Sequence, residues 1–109
     1  MKFQVQKVVD VAAVVATTNY DSVKLFHHSG YSAQVVWTST TASAVVKLQR
    51  SNDNVNWEDV SGATQTIASN SGNVIFNEVD VFYGYFRPVL TYTSGSVTTL
   101  QVIYVKKEG

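Results

Sequence analysis

Cysteine is absent from the 109-residue sequence, which excludes disulfides and thiolate metal sites and leaves stability to packing and backbone pairing. Net charge is absent too. Eight Lys and Arg balance eight Asp and Glu, which argues against retention on nucleic acid or anionic lipid by bulk electrostatics. Long apolar runs are missing: Val8 to Ala16 is broken by Asp10, is too short to span a bilayer, and makes a poor signal-peptide core behind Lys2 and Lys7. No Gly-x-Ser-x-Gly elbow, phosphate loop or dinucleotide fingerprint occurs. Without a convergent acid, base and nucleophile, no enzyme and no cofactor are expected. Helix-type stripes at i, i+3, i+4 and i+7 are lacking as well.

What remains is rich in Val, Thr, Ser, Tyr and Asn. β-branched and aromatic side chains lose rotamer freedom in helices but pack well on a pleated surface, so the expected class is all-β. The length suits one domain over residues 1–109.

The clearest stretch is Lys47 to Val60, in which an apolar strand runs into Ser51-Asn-Asp-Asn-Val-Asn56, a cluster that turns the chain, and leaves through Trp57. Upstream, Phe3 to Ala16 reads as one long strand or two with a bend at Asp10, and Thr17 to Asp21 as a turn. Val23 to His28 reads as a strand closed by Ser29-Gly30. Tyr31, Ala33, Val35 and Trp37 alternate with polar or smaller residues, and Ala44, Val46 and Leu48 do the same beyond the polar loop Thr38 to Ser43. Downstream, Ser61-Gly62 reads as a turn, Thr64 to Ile67 as a weak strand, and Ser69 to Asn73 as a loop into Val74-Ile-Phe76. Tyr85 to Thr93 and Val97 to Lys106 read as a hairpin about Ser94-Gly95-Ser96, with Phe86, Leu90 and Tyr92 across from Leu100, Val102 and Tyr104. Pro88 removes a backbone donor and so predicts an edge or a bulge. About eight strands at this spacing predict one antiparallel β-sandwich of jelly-roll type. The expected core includes Trp37, Trp57, Leu48, Phe86 and Leu100.

No metal is expected. Counting from Asn52 in the oxygen-rich turn, the sixth position of a calcium loop, which needs glycine, holds Trp57. His27 and His28 are adjacent on a strand and point to opposite faces, as do Glu58 and Asp59. The better lead is the number of tyrosines, because rings on a surface stack on sugars or bury in a partner subunit. The candidate interaction surface is Tyr83, Tyr85, Asn52, Asp53, Asn54 and Asn70.

Three segments carry a resemblance: Tyr31-Ser-Ala-Gln-Val-Val-Trp37, Val46-Lys-Leu-Gln-Arg-Ser-Asn-Asp-Asn-Val-Asn-Trp57, and Gly84-Tyr-Phe-Arg-Pro-Val-Leu-Thr-Tyr-Thr-Ser-Gly-Ser96 with the strand after it. Together they resemble small β-sandwich proteins and modules of tailed-bacteriophage virions, with Asn54 standing where glycine is common. The resemblance implies a non-enzymatic virion protein, assembled in the host cytoplasm, and a capsid decoration or cement protein before a tail-associated one. It implies self-association, as a trimer before a dimer, and capsid or tail proteins as partners. The alternative is a carbohydrate-binding β-sandwich module, free or on a phage tail fibre, with a surface glycan as its ligand.

Overall fold

The structure, a computed structural model, describes residues 3–26, 28–39, 41–68, 70–79 and 81–108. Its strands are β1 (Phe3–Val14), β2 (Thr18–Asn19), β3 (Val23–Lys24), β4 (His28–Ser39), β5 (Ser43–Ser51), β6 (Glu58–Ile67), β7 (Gly72–Val79), β8 (Tyr85–Ser94) and β9 (Val97–Glu108). One antiparallel sheet has the order β1-β9-β4-β7, and the other has β2-β8-β5-β6 with β3 also on β8. With β2 and β3 taken as one broken strand, these are the two sheets of a jelly roll.

Period-two alternation decides what lies between the sheets. Tyr31, Ala33, Val35 and Trp37 of β4 are buried, as are Ala44, Val46 and Leu48 of β5, Phe86 and Leu90 of β8, and Leu100, Val102 and Tyr104 of β9. Aromatic stacking organises one end of this core. Tyr31 lies parallel to Phe86 with centroids 4.2 Å apart, and Tyr104 meets Phe86 edge-on at 5.7 Å.

Several expectations are corrected. β8 and β9 are not a hairpin: β8 pairs with β5, β2 and β3, whereas β9 pairs with β1 and β4. The predicted facing of Phe86 and Tyr104 survives, but across the core. Inward residues alternate identically whether a partner lies beside a strand or above it, so the pattern could not separate the two. Ser29-Gly30 lies inside β4, and the strand expected over Val23 to His28 shrinks to Val23–Lys24; His27 lies outside the described residues. Thr18–Asn19, expected in a turn, is β2. Ser61-Gly62 is a bulge within β6 and not a reversal: Lys47 faces Thr64 and Gln49 faces Asp59, so residues 60–63 stand opposite Leu48 alone. Gly62 supplies the positive φ of 78° that such a bulge favours in glycine.

Pro88 is not on an edge. β8 lies between β5 and the broken outer strand. The Pro88 carbonyl accepts the Tyr20 N–H at 3.0 Å, and the nitrogen and oxygen of one strand residue point to the same side. The donor that proline lacks therefore faces the interval between β2 and β3, where the ladder is already interrupted.

Trp57 is not in the core. It is half-buried just before β6, with the Arg87 guanidinium 4.3 Å from its ring centroid.

Candidate functional site

Asp53 builds the tip of the β5–β6 hairpin. One of its carboxylate oxygens accepts the N–H of Val55 at 2.9 Å, the N–H of Asn56 at 2.8 Å and the Ser51 hydroxyl at 2.9 Å. The other accepts the Asn56 side-chain amide at 2.7 Å. These donors, the Asn56 backbone N–H foremost, hold its carboxyl well below the usual carboxylate range. Asn54 sits at φ 61°, a left-handed conformation that asparagine tolerates better than most residues; this is how the turn forms without the common glycine. The carboxylate is thus committed to the turn. Among the described residues no group of three or more His, Cys, Asp or Glu could hold a metal ion.

The turn is tied to the chain entering β8. Gly84 N–H reaches Ser51 O at 3.1 Å and Asn52 Oδ1 at 3.2 Å, which brings Phe82 and Tyr83 beside the hairpin. Tyr83 points inward, its hydroxyl 2.9 Å from that of Tyr31, and burial pushes both hydroxyls above the ordinary tyrosine value. Phe82 points outward and is 93% exposed. Arg50 caps this end of the core, 5.7 Å from the Tyr83 ring centroid, and its Nε donates to Glu58 Oε1 at 3.0 Å.

Three clefts flank Phe82 and Tyr83: one of about 470 Å3 lined by Leu25, Phe26, His28 and Asn52, and two smaller ones. One, of about 390 Å3, runs along the hairpin and is lined by Arg50, Asn52, Asn56 and Glu58. The other, of about 220 Å3, is lined by Val60, Glu78, Val79 and Arg50. Desolvation raises the Glu78 carboxyl there, against the nearby Arg50.

The six candidate surface residues are thereby separated. Asn52, Asp53, Asn54 and Tyr83 share this end, and Asn52 and Tyr83 line the cleft along the hairpin. Tyr85 is half-buried and its ring is packed edge-on against Phe26 at 5.3 Å. Asn70 lies near Trp37, whose Nε1 is 3.5 Å from Asn70 Oδ1. That is the far end of β4, roughly 20 Å from Tyr31 at strand rise. Phe82 and Arg50 escaped the sequence reading, and Glu58 enters it only as half of a carboxylate pair with Asp59. The signals for them were an apolar residue stranded in Val81-Phe-Tyr-Gly84 between two strands, and opposite charges flanking a turn.

The fold and this site define a jelly-roll β-sandwich with a polar cleft and an exposed ring at one end. No protein-family model matches the chain, and no curated protein matches it in sequence. Among solved structures it is similar to the PBSX exported protein XepA, at 10% identity and a TM-score of 0.73 over 97% of this chain. It spans only 37% of XepA. A protein of Bacillus endospore appendages, described as disulfide-linked pili, is similar at 13% identity and a TM-score of 0.62, covering 97% of this chain and 88% of that one. The SPBc2 prophage-derived protein YomS follows at 12% identity and 0.57, covering 96% and 91%. At such identities the likeness is one of fold.

Proposed function

We propose that this protein is a non-enzymatic structural component of a bacteriophage particle, working by self-association and by attachment to that particle. Its proposed place is the capsid surface, as a decoration or cement protein; the trimeric state rests on the sequence resemblance alone. The observation that carries the assembly reading is the outer edge of β1. This strand pairs with β9 from Phe3–Lys107 to Val14–Val97, and Val9 is buried in the core, so the N-terminal segment docks on its own sheet. Among the described residues its other edge pairs with nothing. Such an edge is a template for another chain unless it is blunted or covered. The bulge at Val8 and the positive φ of Ala13, 52°, divide the strand into two regular pairing segments, 3–7 and 9–12. A fold shared with a prophage-derived protein and with a pilus-forming one supports this reading. Without cysteine, pairing and packing would have to replace disulfide links.

Light scattering after size-exclusion chromatography, combined with co-sedimentation on purified particles, tests the proposal. The wild type should be oligomeric and should sediment with capsids. Ala12→Lys, at an exposed position of the edge, should weaken association with an unchanged melting temperature. A concentrated monomer that leaves particles unbound would remove the reading.

A second reading, carbohydrate binding, is favoured by one observation: the bare ring of Phe82 beside a polar cleft.

A further inference from the structure

We infer that the cleft between the β5–β6 hairpin and Phe82 is a binding site for a neutral glycan, one or two sugar units deep. The inference rests on the carbohydrate reading and supplies its site and ligand class.

Three features point to a sugar. The first is the ring: Phe82 presents its faces to solvent at 93% exposure while bordering the 390 Å3 cleft. A pyranose has apolar C–H faces and polar edges, so it can cover such a ring while its hydroxyls reach the cleft. An entirely apolar ligand would leave the polar lining unpaired, which is costly.

The second is unspent hydrogen-bonding capacity. Among the described residues, Asn52 Nδ2, Asn56 Oδ1 and Glu58 Oε2 make no hydrogen bond, although Asn52 Oδ1, Asn56 Nδ2 and Glu58 Oε1 are all engaged. A half-used amide or carboxylate is held in orientation by its bonded atom and presents the other atom outward. Together they offer one donor group and two acceptors, a set that suits hydroxyls, which both give and take. The Asp53 bonds and the Gly84 tether hold the hairpin in place before any ligand arrives, so less ordering is required on binding.

The third is charge. Arg50 and Glu58 form an ion pair within the cleft. An anionic sugar or a phosphate would have to compete with Glu58 for Arg50 and would meet a carboxylate at once, whereas a neutral glycan keeps the pair intact.

Affinity electrophoresis of the full chain tests the site, using gels cast with a soluble β-glucan, xylan, mannan or galactan, and with alginate as the anionic control. The expected result is retardation by at least one neutral polysaccharide and none by alginate. Phe82→Ala should lose at least tenfold in affinity and Glu58→Gln a smaller factor, both with unchanged melting temperatures. The proposal is overturned by no retardation across the neutral panel, by equal retardation of Phe82→Ala and wild type, or by alginate binding as well as the neutral polymers. If Phe82→Ala abolishes capsid co-sedimentation while no gel retards the wild type, the ring belongs to a protein interface, and the assembly reading stands without the glycan site.

Discussion

The Arg87 guanidinium lies 4.3 Å from the centroid of the Trp57 ring, and Gln49 Oε1 accepts from Arg87 Nε at 3.0 Å and from its terminal nitrogen at 2.8 Å. Trp57 is thus a lid on a charged side chain at the outer surface, whereas Trp37 is 4% exposed inside the sandwich. The two tryptophans should respond differently to truncation. Trp37→Ala should cost about 3 to 5 kcal/mol, and Trp57→Ala about 1 kcal/mol, the scale of an exposed cation–π contact with some packing. Denaturant midpoints at constant slope measure both, and equal losses would refute the assignment.

Gly62 and Gly95 share a positive φ, 78° and 74°, but not their surroundings. A methyl on Gly62 would meet nothing within 4 Å, while one on Gly95 would collide with the Thr41 carbonyl and crowd Ala42. Gly62→Ala should therefore cost about 1 kcal/mol, the conformational term alone. Gly95→Ala should cost several-fold more, because backbone cannot rotate out of the way as a side chain can. Thermal unfolding of the two variants separates them.

Asp53 makes stability depend on acid. Its folded pKa is depressed by the N–H groups of Asn56 and Val55 and by the Asn56 and Ser51 side chains. Its contribution is present above the unfolded value of about 4 and is lost as pH falls through the folded one. Asp53→Asn should lower stability near neutral pH and flatten the decline between about pH 5 and about pH 2. An unchanged slope would mean that other carboxylates carry it.

Glu78 has the opposite sign. Desolvation raises its pKa, so the folded state binds its proton more tightly and Glu78 disfavours folding where it is ionised. Glu78→Gln should raise the melting temperature at neutral pH, with the gain vanishing below the unfolded pKa of about 4.

Much of this was legible in the residues. Alternation at Tyr31 to Trp37 and Ala44 to Leu48, together with the asparagine-rich hairpin, determined strands, inner faces and an all-β class, because burial acts on each strand locally with a period of two. The chain without cysteine and without net charge also determined the manner of its stability. Tertiary structure decided which strands pair. Phe86 and Tyr104 alternate in the same way whether they are neighbours in a sheet or meet across a core, so only the backbone ladders, β8 on β5 and β9 on β1 and β4, separate the two strands into opposite sheets. It also decided that Trp57 faces solvent over Arg87, and that Phe82 joins Asn52, Asn56 and Glu58. That cleft is formed by two segments far apart in sequence, linked through the backbone N–H of Gly84, and backbone hydrogen bonds leave no mark in side-chain pattern.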